Sequence, residues 1–166
     1  PGALLLPIVG LCYYYLIHPD RNVGYAPTQP IPFSHKLHAG DLKLDCQYCH
    51  HDVSKSTHAN IPSLDVCMGC HSQVQSVIDT DNIKLLKDHY EKQKPIQWTK
   101  IHDLPDHVRF NHEPHIRKGL DCTTCHGNIQ EMDVVGQAEN LTMGWCVNCH
   151  RENNHQAPTN CTTCHY

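Results

Sequence analysis

Apolar and polar positions are spread unevenly along the chain. The first seventeen residues, Pro1 to Ile17, carry no charged side chain. They run Ala3-Leu4-Leu5-Leu6-Pro7-Ile8-Val9-Gly10-Leu11 and then reach Tyr13, Tyr14 and Tyr15. A soluble core helix would be amphipathic, whereas this stretch is apolar throughout and approaches the ~20 residues of a membrane span. It predicts the outer end of a transmembrane anchor over 1–18, with the tyrosines at the membrane–water interface. The alternatives are a signal-peptide core and a buried soluble helix. Pro7 is tolerated in a spanning helix where neighbours satisfy the freed carbonyl. The chain starts at Pro1 rather than at methionine, so upstream residues are expected to complete the span. Cys12 reads as a buried membrane thiol, because Leu11 before it is not the small residue that lipid attachment requires.

Pro19, Gly24, Pro27, Pro30 and Pro32 make residues 19–32 an extended linker. Beyond it, helical periodicity survives in one place. Between 72 and 109, Thr80 or Asp81 can cap a helix whose Ile83, Leu86 and Tyr90 share a face and which Pro95 stops. Little other regular structure is expected.

Composition sharpens the problem. The 166 residues include only two Phe and two Trp, and the 39% hydrophobic fraction counts the cysteines. Ordering the backbone costs about 1–2 kcal/mol per residue, and too little apolar side chain is present to offset that through an ordinary core. Another source of buried apolar surface is needed. The formal charge of −4 comes without a Lys/Arg run, which speaks against nucleic acid as a partner and suits a basic docking partner.

The eleven cysteines and sixteen histidines indicate that source. Ten cysteines fall into the pairs Cys46/Cys49, Cys67/Cys70, Cys122/Cys125, Cys146/Cys149 and Cys161/Cys164, and each pair is followed at once by a histidine: His50, His71, His126, His150 and His165. Neither a disulfide scaffold nor a zinc ribbon requires that third residue. Covalent c-type haem does: two thiols add to the vinyl groups and the adjacent imidazole becomes the proximal iron ligand. Five motifs predict five covalently bound haems c. The expected fold is a multihaem cytochrome c, mostly irregular coil with a few short helices wrapped around five haems, plus the partial N-terminal transmembrane helix.

The motifs are embedded in an internal repeat. Phe33-Ser34-His35-Lys36-Leu37-His38 precedes Asp45-Cys46, and Phe110-Asn111-His112-Glu113-Pro114-His115 precedes Asp121-Cys122. This divides the chain into the anchor end (1–18), the linker (19–32), a two-haem module (33–71), the helix and a connecting strip (72–109), and a three-haem module (110–166). The strip Pro95 to His102, with Trp98, is either a docking surface or a lid over a haem edge. Eleven histidines remain beyond the proximal five: His18, His35, His38, His51, His58, His89, His102, His107, His112, His115 and His155. Such a surplus suits a sixth ligand on each iron, which keeps it low-spin and leaves no open site for a substrate.

The F-x-H-x-x-H segment and the doubled His50-His51 resemble the ligand pattern of the small cytochromes of the c3/c7 type. The resemblance implies that His35 serves the haem of Cys46/Cys49, His51 that of Cys67/Cys70, and His112 that of Cys122/Cys125. His38 and His115 would reach haems more distant in sequence. The second module departs from the pattern, since Gly127 follows His126. The haem of Cys146/Cys149 therefore lacks a counterpart of His51. Met143 or Met132 are candidates for a His/Met site of higher potential, with packing against the macrocycle as the other role for Met143.

The segments IPFSHKLHAGDLKLDCQYCHH (31–51), KPIQWTKIHDLPDHVRFNHEPH (94–115), LDCTTCHGNIQEMDVVGQ (120–137) and LTMGWCVNCHRE (141–152) resemble the pentahaem cytochrome c subunit of Alternative complex III. That complex is a bacterial quinol:electron-acceptor oxidoreductase of the respiratory chain. The resemblance implies an electron-transport subunit at the cytoplasmic membrane, its haem domain on the periplasmic side, not catalytic alone. Its partners would be an iron–sulfur subunit, integral membrane subunits that oxidise quinol, and a monohaem cytochrome or terminal oxidase as acceptor. The alternatives are a pentahaem subunit of another membrane quinol dehydrogenase and a self-contained multihaem reductase, which would need an iron with an open position.

Overall fold

Two cysteines three residues apart lie on one side of a helical turn, and the chain uses this at every motif. In the computed structural model, which describes residues 2–17, 22–73, 80–152 and 156–166, each motif sits in or at the end of a short helix. These are α2 (Cys46–Cys49), α3 (Leu64–His71), α6 (Thr123–His126), α7 (Met143–Arg151) and α8 (Cys161–Cys164). The remaining α-helices are α1 (Gly2–Ile17), α4 (Asp81–Glu91) and α5 (His112–Arg117), joined by a π-helical turn at Lys36–Asp41 and a 3-10 turn at Ile129–Glu131. Among the described residues no strand forms, and Val108 and His165 make one isolated antiparallel bridge.

Short helices depend on their first turn, because the first four N–H groups have no partner within the helix. Asp45 accepts the Gln47 amide at 2.8 Å, and Asp121, its equivalent in the repeat, accepts the Thr123 amide at 2.8 Å and the Thr123 hydroxyl at 2.6 Å. Thr142 takes the Trp145 amide at 3.3 Å at the head of α7. Thr80 takes the Ile83 amide at 3.4 Å at the head of α4, and Asn111 takes the Glu113 amide at 3.0 Å at the head of α5.

The apolar core is very small. Met68 of α3, Leu86 of α4 and Ile96 form it, with Ile31, Leu64, Cys67, Ile83 and Trp98 packed around them. Trp98 thus closes over the second motif helix from the connecting strip. Residues 46–73 are otherwise held by polar turns, with Val53 buried behind the first motif.

The two copies of the repeat meet through the turns at 36–41 and 129–131. The Lys36 amide donates to the Met132 carbonyl at 3.0 Å, the Ser34 hydroxyl donates to Asp133 at 2.8 Å, and Lys36 pairs with Asp133 at 3.7 Å. Gly40 permits the approach, since a Cβ there would collide with the Gln130 carbonyl. Gly127 is a second obligatory glycine. Its φ is +69° and a Cβ would lie 2.6 Å from that of Ala138, so the position that holds a second histidine in the first module cannot hold one here.

The N-terminal helix α1 has 16 residues and rises about 24 Å at 1.5 Å each. Among the described residues no helix is long and apolar enough to cross a membrane. Leu6, 77% exposed, and the exposed Ile8, Val9, Leu11 and Tyr13 make it an uncovered apolar rod. Cys12 is exposed on it. His18, the linker's first residues 19–21, residues 74–79 and His155 lie outside the described residues.

Candidate functional site

Each F-x-H-x-x-H copy builds the same aromatic cluster. Phe33 meets His35 edge-on at 4.9 Å and stacks on His38 at 4.3 Å. Phe110 meets His112 edge-on at 4.8 Å and lies against His115, also at 4.8 Å. In both copies the second histidine donates its Nδ1–H four residues back, His38 to the Ser34 carbonyl at 2.8 Å and His115 to the Asn111 carbonyl at 2.7 Å. The phenylalanine fixes the ring planes, and the carbonyl fixes the tautomer with Nε2 left free to ligate.

The same tautomer recurs elsewhere. His50 donates to the Asn60 carbonyl at 2.7 Å, His150 to the Pro158 carbonyl at 2.7 Å, His165 to the His107 carbonyl at 3.2 Å and His112 to the Thr57 carbonyl at 3.0 Å. Asn60 presents its carbonyl from a left-handed backbone (φ +57°), held by its side-chain amide on Asp52 at 2.6 Å. His126 is different: its Nδ1 faces Nε2 of His102 at 3.4 Å.

Two imidazoles on opposite sides of one iron, each bonded at about 2.0 Å, set their ring centres about 6 Å apart. Four proximal histidines have a partner ring at that spacing. His71 faces His38 at 6.3 Å, His126 faces His112 at 6.4 Å, His150 faces His115 at 6.0 Å and His165 faces His107 at 5.6 Å. His50 has His35 beside it: burial first, then the nearness of His50 and His38, pushes His35 down to about 4. Burial, then His102, His112 and His50, brings His126 to about 4 as well. An imidazole held neutral by burial keeps the lone pair that a metal needs. Nδ1 of His35 and of His71 is buried without a hydrogen-bond partner among the described residues.

The thiols are all free. Burial raises Cys49, Cys67, Cys122 and Cys146, and lifts Cys125 to about 11. Thiols that burial keeps protonated are poorly disposed to bind a metal as thiolates. The donor set therefore fits haem c: paired thiols on one helical face, a proximal imidazole, a facing imidazole, and an apolar deficit for a macrocycle to fill.

The motifs also adjoin one another. After burial, the next influence on Cys49 is Cys70, on Cys122 it is Cys46, on Cys125 it is Cys149, and on Cys146 it is Cys164. Cys122 further shares a hydrogen bond with Cys46. The spatial order is thus 67–71, 46–50, 122–126, 146–150 and 161–165, with the modules joined through the first and third motifs.

Two expected ligands are not brought to an imidazole. His51 is exposed and turns back to Asp52 at 3.6 Å, because the chain winds into successive tight turns after α2. The ring nearest His71 at ligand spacing is that of His38, at 6.3 Å. Met143, at the first position of α7, is 68% exposed, and His115 faces His150 instead. Met132 lies beside Gly127 as packing. His107 was not singled out by the motif spacing. Its signal is tertiary: Val108 bridges to His165 and the Arg109 amide donates to the Cys164 carbonyl at 2.7 Å.

A chain with this little core and these thiol–imidazole sets is a multihaem c-type cytochrome, an electron-transfer protein with covalently bound haem. Residues 15–102 match the class III cytochrome C family and residues 108–166 match cytochrome c7 and related cytochrome c. The chain belongs to the class III cytochrome c family. It is 29% identical, over 182 aligned positions, to the menaquinone reductase multihaem cytochrome c subunit of Nitratidesulfovibrio vulgaris Hildenborough, covering 95% of this chain and 86% of that protein. This relative carries the electron-transfer reading but does not single out Alternative complex III.

Proposed function

We propose that the chain holds five haems c and serves as the electron-relay subunit of a membrane-associated quinone oxidoreductase. The thioether pairs are Cys46/Cys49, Cys67/Cys70, Cys122/Cys125, Cys146/Cys149 and Cys161/Cys164. The iron of each haem would be held by a pair of imidazoles: His50 with His35, His71 with His38, His126 with His112, His150 with His115, and His165 with His107. Bound haem supplies a reversible one-electron ferric/ferrous couple. The residues do the rest: imidazoles on both faces exclude substrate, carbonyl-anchored Nδ1 groups hold the rings, and adjoining motifs keep the sites within reach of one another.

The observation that carries this reading is the set of imidazole pairs at 5.6–6.4 Å. It favours a relay over a self-contained reductase, which needs an open iron. The test is the mass of the denatured protein together with its electron paramagnetic resonance. Five haem increments and purely low-spin signals are expected; a high-spin ferric component would return the reductase reading.

The membrane partner rests on the relative, whose complex is a menaquinone reductase, and on the uncovered apolar α1, which suits contact with membrane subunits. Covalent haem attachment takes place outside the bacterial cytoplasmic membrane, which supports the periplasmic side. The relative favours electron delivery to menaquinone. The four segments that resemble the Alternative complex III subunit favour quinol oxidation, with an iron–sulfur subunit and a monohaem cytochrome as further partners. Purifying the native complex and mixing it with a quinol, or with a quinone after chemical reduction of the haems, separates the two by which mixture changes the haem spectrum.

A further inference from the structure

Among the described residues, six imidazoles of the relay set anchor Nδ1 on a main-chain carbonyl: His38, His50, His112, His115, His150 and His165. A carbonyl is fixed by the backbone and offers the chain no means of adjustment. His126 meets a side chain instead, Nε2 of His102 at 3.4 Å, with the two rings edge-on at 87° and their centres 4.5 Å apart. That spacing is too short for His102 to share an iron with His126. The ring at ligand spacing is His112, nearly parallel at 6.4 Å and 8°.

The proton positions then follow. If Nε2 of His126 is the ligating atom, its proton is on Nδ1, and that N–H is the donor. Nε2 of His102 must be the acceptor, and His102 carries its own proton on Nδ1. Accepting a hydrogen bond from a ligating imidazole makes that ligand more electron-rich and stabilises ferric over ferrous iron.

We propose that His102 is the positioning residue of the third haem site, orienting His126 and lowering that site's reduction potential through the Nδ1–Nε2 contact. This rests on His126 being an axial ligand. It also gives a role to the connecting strip: between the two modules, at the motif through which the second meets the first, residue 102 sets the level of the junction.

The experiment compares wild-type, His102→Leu and His102→Gln holoproteins by haem mass, low-spin spectrum and redox titration. His102→Leu is expected to keep all haems attached and low-spin while one component moves to higher potential and the others stay. His102→Gln, whose amide oxygen can accept the same hydrogen bond, is expected to return that component toward the wild-type value. Unmoved titrations in His102→Leu would overturn the proposal, as would a Gln variant shifted as far as the Leu variant. A new high-spin haem in His102→Leu would overturn it too, by making His102 a ligand. Failure of the axial reading is separable, because the wild-type protein would then itself show a high-spin component.

Discussion

The rings of His38 and His71 face each other with centres 6.3 Å apart, although 33 positions separate them in the chain. Phe33 stacked on His38 and the Ser34 carbonyl on its Nδ1 hold that orientation. His51, adjacent to a proximal histidine, is exposed. His38→Ala is therefore expected to turn one haem, that of Cys67/Cys70, high-spin or ligand-exchangeable. His51→Ala should leave the low-spin spectrum unchanged. Electron paramagnetic resonance of the two oxidised variants decides between these ligands.

Methionine ligation is tested at the fourth motif. Met143 is 68% exposed while His115 faces His150 at 6.0 Å. Met143→Leu should leave every step of a redox titration in place. His115→Met should raise one component, because a thioether stabilises ferrous iron relative to imidazole. A shift in Met143→Leu would restore the His/Met site.

Gly127 supplies a stability test. At φ +69°, with Ala138 in the way of any Cβ, Gly127→Ala should destabilise the holoprotein by about 1–3 kcal/mol. The double variant Gly127→Ala, Ala138→Gly should recover the steric part and retain the backbone part. Denaturant midpoints measured with the haem spectrum give both.

The cap at Asp121 makes an acid-side prediction. Hydrogen bonds from the Thr123 side chain and amide lower this carboxyl below its ordinary value. A group depressed on folding adds stability above its unfolded pKa, about 3.9, and loses that contribution as pH falls through the folded value. Wild type should therefore exceed Asp121→Asn in melting temperature at neutral pH, and the gap should close below about pH 4. A gap that persists in strong acid would mean that the neutral carboxyl caps equally well.

How far the sequence carried the structure differs by element. The five C-x-x-C-H motifs and the two F-x-H-x-x-H segments are local patterns, so residue spacing exposes them directly. Thr80, Ile83, Leu86 and Pro95 similarly outline α4 before any coordinates. His107 stood in the sequence only as one of the spare histidines, with His58, His102 and His155, because its partner His165 lies 58 positions away and the bridge at Val108 brings them together. For His51, adjacency to His50 fixes which way the side chain leaves the backbone but not the turns that follow it, and those turns leave it exposed beside Asp52. The glycine after His126 looked like a missing ligand in the sequence. In the structure it is required where the backbone passes Ala138 in a left-handed conformation.

Met68, Leu86 and Ile96 are too few to collapse a chain of this length. The polypeptide has little reason to fold before its thiols are modified, so the attachment machinery meets an open, threadable chain rather than a finished surface. Porphyrin is then both cargo and scaffold: each addition nucleates its own stretch of sequence, and maturation and folding become a single process. Quality control follows from the same fact. A copy that misses one modification leaves an unordered loop open to proteolysis, so partly loaded chains are short-lived.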